Sequence, residues 1–336
     1  MRFEYYHSGL DEVPKLSVDG TVANALHFSH WQGNETPTAL KADTSTEIAL
    51  NLVAAENKAE LTRGIELVTN NHFDTDGVLS VWTVLNGEHA LGLRDKLIPA
   101  AESGDFSEYT NEAAIRASIA IQGSDQPTLE DKPGSPLACQ LAGRLVGEDE
   151  AYGFVLPEVE GLLTRIDEYE PLWRSAWERI AIAVESFERG ASTVTELDSG
   201  KLSLIMLAPE VFSPSGFKPT RHSAPFTAIS RYARGKLFLI ATPVADGWAY
   251  RLDYPYYSWA ETVVRPAIPR RDFSGALAEL NQQERNAGHW QPDTSELASA
   301  VKFLGDDGKL ATSTLKPDEV AGTIAATGAE TSAAAR

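Results

Sequence analysis

The chain has 336 residues and carries a formal net charge of −19 at pH 7. This acidity argues against binding to long nucleic acid, which requires a basic surface that neutralises phosphates, and against docking on anionic lipid. The single cysteine, Cys139, excludes an intramolecular disulfide. No apolar stretch has the length of a membrane span or the character of a signal peptide, and we therefore expect a cytoplasmic protein.

A chain of this length is expected to form two domains. Residues 1–134 alternate strand and helix signals, which predicts an α/β domain with a doubly wound, mostly parallel sheet. Residues 135–190 indicate a helical insert, and residues 191–310 indicate a second, smaller α+β domain. The tail, residues 311–336, is rich in Ala, Thr and Gly and is expected to be disordered.

Short strands are predicted in the first domain over residues 16–20, 26–31 and 65–70. Thr44 and Glu47 have the spacing of a capping box and predict a helix that begins there. A later helix, over residues 88–102, leads to the polar turn Gly104-Asp105.

In the second domain, alternating apolar residues on both sides of Asp246-Gly247 predict a β-hairpin. A helix is predicted over residues 274–286, and a short helix over residues 295–303.

The densest group of reactive side chains lies in residues 70–77, directly after the third predicted strand. His72, Asp74 and Asp76 alternate with other residues, and side chains two apart in an extended segment project to the same side. One imidazole and two carboxylates are therefore expected to converge at the carboxyl end of a parallel strand, where ligands bind in open α/β sheets. Such mixed ligation favours Mn²⁺, Fe²⁺ or Zn²⁺ over Ca²⁺. Gly77 is expected to permit a sharp turn and the approach of a phosphate to the next helix.

The segment from His72 to Ser80, His-Phe-Asp-Thr-Asp-Gly-Val-Leu-Ser, resembles the first motif of the DHH phosphoesterase superfamily. Gly104-Asp105 resembles the second motif, an aspartate after a later strand. The resemblance implies a dinuclear Mn²⁺-type site in a cleft between two domains, with these ligands: His72, Asp74, Asp76 and Asp105. The Asp-His-His motif that names the superfamily is absent from this sequence. The whole chain also resembles an uncharacterised bacterial family with the same His-Phe-Asp-x-Asp-Gly segment.

A rival resemblance covers residues 73–79, which are similar to the first motif of haloacid-dehalogenase-type phosphatases. It implies that Asp74 is a nucleophile, that Asp76 is a general acid/base and that one Mg²⁺ is bound. Asp306 and Asp307 are similar to the late acidic motif of that family. We favour the first resemblance, because it gives His72 a role.

Further residues are candidates for the missing half of the site. His30 at a predicted strand end and Asp43 near the next helix are hypothesised as metal ligands that replace the Asp-His-His motif. The alternative is a hydrogen-bonded loop histidine and an aspartate near a helix cap. Arg221 and His222 are candidates to close over a phosphate, where His222 would donate or accept a proton. The alternative is that these residues lie in a surface loop.

The sequence thus predicts a metal-dependent hydrolase of phosphoester bonds that uses metal-activated water. Asp74, Asp76 and His222 are the predicted catalytic residues. The predicted cofactor is a divalent metal, with Mn²⁺ preferred and Mg²⁺ or Zn²⁺ as alternatives. The expected substrate is a small phosphoester or a nucleotide. A haloacid-dehalogenase-type phosphatase and a non-catalytic ligand-binding or metal-binding protein on the same fold stay open as alternatives.

Overall fold

The computed structural model describes residues 1–123, 134–197, 201–211, 224–293 and 297–327. The chain divides into two compact units. The first comprises residues 1–178 and 259–266, and the second comprises residues 179–258 and the chain after residue 266. The short segment 259–266 therefore belongs with the first unit, although the sequence suggested a second domain throughout residues 191–310.

The first unit contains a parallel sheet of four strands in the order β1-β4-β2-β3. These strands are β1 (Arg2–Phe3), β2 (Lys15–Val18), β3 (Ala25–Phe28) and β4 (Leu67–Thr69). All residues of β2 and β4 are buried, as is typical of parallel strands, and this includes the polar residues Lys15 and Ser17 of β2.

Helices make up more of the described part of the first unit than strands do. They are α1 (Ser45–Ala54), α2 (Lys58–Leu61), α3 (Thr75–Asn86), α4 (Glu88–Leu91), α5 (Arg94–Asp105), α6 (Glu112–Gln122), α7 (Pro136–Ala142), α8 (Glu148–Val155) and α9 (Val159–Thr164). A tenth helix, α10 (Glu170–Glu188), contains the boundary between the units. Thr44 caps α1 by accepting a hydrogen bond from the Glu47 N–H, as the capping-box spacing predicts.

The second unit contains a mixed sheet of six strands in the order β5-β6-β7-β8-β10-β9. The strands are β5 (Thr193–Leu197), β6 (Leu202–Met206), β7 (Phe238–Val244), β8 (Gly247–Asp253), β9 (His289–Pro292) and β10 (Ser299–Leu304). Its helices are α11 (Phe226–Ser230), α12 (Ser274–Gln283) and α13 (Pro317–Thr327). The hairpin predicted around Asp246-Gly247 is β7–β8. A parallel α/β sheet followed by a second α+β unit confirms the predicted fold class.

Two elements of the second unit differ from the predictions. Residues 299–304 form strand β10 instead of a helix, since they pair on both sides with β8 and β9. The predicted disordered tail contains helix α13, whose residues Val320, Ala321 and Ile324 are buried in the core of this unit. These small apolar residues recur at helical spacing, which a reading of bulk composition overlooks.

No helix in the described parts of the chain combines the length and the apolar character needed to cross a membrane.

Candidate metal centre

The candidate site lies at the carboxyl ends of three neighbouring strands of the parallel sheet. Asp19 directly follows β2, His30 follows β3 and His72 follows β4. Because β2 pairs with both β3 and β4, Asp19 stands between the two histidines. Asp19 has φ of 48°, a left-handed backbone conformation that aspartate tolerates better than most residues. The sheet order therefore brings together residues that are distant in the sequence.

One group of side chains consists of Asp19, His72 and Asp74. Nε2 of His72 lies 3.2 Å from Oδ2 of Asp19 and 3.3 Å from Oδ2 of Asp74. The His72 and Asp74 side chains are 27% and 19% exposed, whereas Asp19 is fully buried. We call this group the half-exposed site.

A second group shares Asp19 and adds His30, Asp76 and Asp105. Nε2 of His30 lies 3.3 Å from Oδ1 of Asp19, 3.8 Å from Oδ2 of Asp76 and 3.4 Å from Oδ2 of Asp105. Three of these side chains have no exposed area and that of Asp105 is 5% exposed. We call this group the buried site.

Asp19 joins the two sites, since its two carboxylate oxygens face different histidines. Four buried atoms of the cluster make no hydrogen bond with any described residue: Asp19 Oδ2, His30 Nε2, His72 Nε2 and Asp105 Oδ2. A buried polar atom without a hydrogen bond is costly, and a bound cation could supply the missing partner of these atoms. Imidazole nitrogens and carboxylate oxygens are donors that divalent metal ions take in proteins, so the cluster could bind a metal ion.

Both imidazoles are oriented by their second nitrogen. Nδ1 of His30 lies 2.6 Å from the carbonyl oxygen of Asp43, and Nδ1 of His72 lies 3.0 Å from Oδ1 of Asn71. Since both partners accept hydrogen bonds, each Nδ1 carries a proton and each Nε2 faces the cluster. Loss of the Nε2 proton would give the tautomer that a metal ligand requires.

Aromatic rings fix the planes of these imidazoles. The ring of Trp259 meets that of His30 edge-on at 5.0 Å between centroids, and Trp31 meets His72 in the same way at 5.4 Å. The ring of Phe106 also contacts His30, at 5.7 Å between centroids. Such packing restricts the rotamers of the ligands before a metal binds.

The carboxylates are held by backbone N–H groups. Asp76 accepts hydrogen bonds of 2.7 Å from the N–H groups of Ser45 and Thr46, at the start of α1. Asp74 caps α3 by accepting a 2.7 Å hydrogen bond from the Gly77 N–H. Positive ends of two helices thus stabilise carboxylates of the cluster.

The metal-free cluster retains protons. Burial would lower the pKa of His30, but the neighbouring carboxylates of Asp105, Asp19 and Asp76 raise it to about 10. Burial and the charge of Asp19 raise the pKa of Asp76 to about 7. Burial also raises the pKa of Asp105 well above its ordinary value. Burial would also raise the pKa of Asp19, but the imidazoles of His30 and His72 hold it below the ordinary value.

Asp105 belongs to the cluster, but it is the last residue of helix α5 and does not follow a strand, as the resemblance implied. The glycine before it explains how the helix end reaches the site. A Cβ atom on Gly104 would overlap the side chain of Thr75, the first residue of α3. The absence of a side chain there permits the close approach of α5 to α3 that brings Asp105 to His30.

Asp43 joins neither site, which corrects its prediction as a ligand. Its carboxylate accepts hydrogen bonds from the backbone N–H groups of Val263, Val264 and Arg265, and from the Arg265 guanidinium at 2.8 Å. With both oxygens engaged, Asp43 anchors the segment 259–266. Its contribution to the cluster is the carbonyl group that orients His30.

Gly77 also has a different role from the one predicted. Its N–H is engaged by Asp74, and a Cβ atom on it would collide with the side chains of Asn70 and Tyr152. The space that was expected to admit a phosphate is therefore filled by protein. The Tyr152 hydroxyl donates a hydrogen bond of 2.9 Å to the carbonyl oxygen of His72. Tyr152 therefore holds the loop that carries His72.

Two further groups of residues were predicted from the sequence. Arg221 and His222 are outside the described residues, so the predicted catalytic role of His222 stays a prediction. Asp306 and Asp307 lie in an exposed turn of the second unit, where Asp307 accepts a hydrogen bond from the Lys309 N–H.

Comparison with known proteins gives a family. Residues 2–328 match DUF6687, a family of unknown function. This chain belongs to the DUF6687 family. No curated protein matches it. Among solved structures it is similar to a pGpG-specific phosphodiesterase, PggH, from Vibrio cholerae, with 11% identity, a TM-score of 0.36, and coverage of 87% of this chain and 78% of the other. A similarity of that size carries no inference about activity, so for this DUF6687 chain the function is argued from the cluster itself.

Proposed function

We propose that this DUF6687 protein is a hydrolase of phosphoester bonds that uses two divalent metal ions held by the His/Asp cluster. The observation that supports this proposal most strongly is the position of Asp19, which belongs to both groups of side chains. One of its carboxylate oxygens faces His30 and the other faces His72. The unpartnered buried atoms of the cluster supply the independent support.

The charge of the cluster favours two divalent ions. Four carboxylates of the cluster carry four negative charges when ionised: Asp19, Asp74, Asp76 and Asp105. A buried group of like charges is strongly unfavourable without compensating cations. Two divalent ions neutralise the four charges, whereas a single one leaves half of them uncompensated. The combination of imidazole nitrogen and carboxylate oxygen suits Mn²⁺ well and admits Mg²⁺ or Zn²⁺.

The His/Asp cluster would hold the divalent ions. When bound, they would polarise a phosphoryl oxygen and lower the pKa of a water molecule. His30 and His72 keep their Nδ1 protons in hydrogen bonds to Asp43 and Asn71. Their Nε2 atoms face the cluster and would be taken up by the metal ions, so we assign the activation of water to the cluster and not to either imidazole.

The class of substrate rests on three observations of different kinds. The segment from His72 to Ser80 resembles the first DHH phosphoesterase motif. Three residues of that segment, His72, Asp74 and Asp76, contribute to the two groups. The net charge of −19 disfavours long polyanions. A small phosphoester or a nucleotide is consequently the proposed substrate.

The test begins with apoprotein prepared by chelation and reloaded with Mn²⁺, and it measures hydrolysis of bis(p-nitrophenyl) phosphate. We expect Mn²⁺-dependent turnover in the wild type and none in Asp76→Asn, with Glu12→Gln, an exposed carboxylate of the same unit, as the control. Bound metal without turnover of this diester or of p-nitrophenyl phosphate would instead favour a binding protein. Trapping of a phosphoaspartate on Asp74 would move the assignment to the haloacid-dehalogenase type.

A further inference from the structure

The two metal positions differ in their access to solvent. Every ligand of the buried site except Asp105 has no exposed side-chain area, and Asp105 is 5% exposed. In the half-exposed site, His72 is 27% exposed and Asp74 is 19% exposed. Protein sites with a structural metal are closed, whereas catalytic sites keep one position open.

The positions also differ in the number of anionic ligands. The buried site has three carboxylates and one imidazole, while the half-exposed site has two carboxylates and one imidazole, and Asp19 is counted in both. Ligand charge and rigidity are the properties that set the affinity of carboxylate sites for divalent cations. The additional carboxylate therefore favours tighter binding at the buried site.

The ligands of the buried site are also more firmly held. Asp76 is fixed by two backbone N–H groups of α1, and the His30 ring packs against Trp259 and Phe106. In contrast, Nδ1 of His72 is held by the side chain of Asn71, and this hydrogen bond is exposed to solvent. A rigid set of ligands loses less conformational entropy when the metal binds.

We propose that the two sites are loaded in order, and this inference rests on the proposed function. The buried site takes the first Mn²⁺ tightly and retains it. The half-exposed site takes the second Mn²⁺ weakly, exchanges it with the solution, and is where the phosphoryl group of the substrate binds. The free concentration of divalent metal then controls activity through the second site alone.

Two isosteric variants test the order of loading. Asp74→Asn removes one charge from the half-exposed site and keeps the oxygen that caps α3, since asparagine is an equally good N-cap. Asp105→Asn removes one charge from the buried site. Titration of each apoprotein with Mn²⁺ by calorimetry, with a competing chelator for the tight phase, gives the affinity of each phase.

The wild type is expected to bind two Mn²⁺ with affinities that differ about tenfold or more. Asp74→Asn is expected to weaken the second phase about 10–100-fold and to leave the first unchanged, and Asp105→Asn to weaken the first by a similar factor. Equal affinities in the wild type, or the reverse pattern in the variants, would overturn the inference. Absence of any bound metal would instead contradict the proposed function itself.

Inorganic phosphate tests where the phosphoryl group binds. Protein-bound Mn²⁺ broadens the ³¹P resonance of a phosphate that contacts it. We expect little broadening with one equivalent of Mn²⁺ and strong broadening with two, and no second step in Asp74→Asn. Full broadening at one equivalent in the wild type would show that phosphate contacts the first metal and would contradict the assignment.

Discussion

Oδ2 of Asp19 lies 3.2 Å from Nε2 of His72, although the two residues follow different strands. The contact arises because β2 pairs with β4, so the residues after both strands emerge side by side. The other oxygen of Asp19 faces His30 at 3.3 Å. Asp19 is thus the residue that both groups of side chains share.

Asp19→Asn should abolish the binding of both metals with little change in the fold. Asparagine tolerates the left-handed backbone at this position and keeps the oxygen that accepts the 2.9 Å hydrogen bond from Ser45. It removes the shared negative charge from both sites. Elemental analysis of purified protein is expected to show two Mn²⁺ per chain in the wild type and none in the variant, with unchanged circular dichroism. Retention of one full equivalent by the variant would show that Asp19 does not bridge.

Asp43→Asn should have the opposite effect. The substitution breaks the ion pair with Arg265 and weakens the backbone hydrogen bonds to residues 263–265, but leaves the carbonyl group that orients His30. We expect a loss of about 1–3 kcal/mol in the free energy of unfolding, measured by urea denaturation, with metal content unchanged. Loss of metal without loss of stability would restore Asp43 as a ligand.

Gly104→Ala should displace Asp105 from the buried site. The added methyl group overlaps Thr75, so α5 must move away from α3, at a cost of about 1–3 kcal/mol. We expect a lower melting temperature and a weaker first Mn²⁺ affinity. Gly153→Ala is the matched control, because this glycine lies inside helix α8 with no atom near its added methyl group. That substitution should be neutral or stabilising, and equal effects of both would contradict the packing argument.

Binding of Mn²⁺ should release protons and strengthen as the pH rises. The pKa of His30 is about 10 in the metal-free cluster, so at neutral pH its imidazole must lose a proton before Nε2 can bind a metal. Asp76, with a pKa of about 7, adds a second proton below that pH. Calorimetry in buffers of different ionisation enthalpy is expected to show release of at least about one proton per chain at pH 7–9. An enthalpy independent of the buffer would contradict this.

Local sequence patterns were sufficient to predict part of the candidate site. The alternation of His72, Asp74 and Asp76 after an apolar strand predicted three side chains of the cluster, although Asp76 lies in one group and His72 and Asp74 in the other. Asp105 was predicted from a Gly-Asp pair, although the structure places it at a helix end. His30 was predicted from its position after a strand and also faces the cluster.

The central residue, Asp19, was overlooked because its function depends on strand order. Asp19-Gly20 after a short apolar run indicates an ordinary turn, and nothing local shows that β2 lies between β3 and β4. Asp43 was chosen for a similar reason, since its closeness to the capping box suggested the catalytic edge. Only the tertiary contacts of its carboxylate with residues 263–265 show its structural role.

The most direct test of the central claim is an anomalous difference map from crystals of the Mn²⁺-loaded protein, with data collected at the manganese absorption edge. We predict two peaks on either side of the Asp19 carboxylate, one beside His30, Asp76 and Asp105, the other beside His72 and Asp74. A map without a peak at Asp19, or with manganese only elsewhere in the chain, would contradict the account.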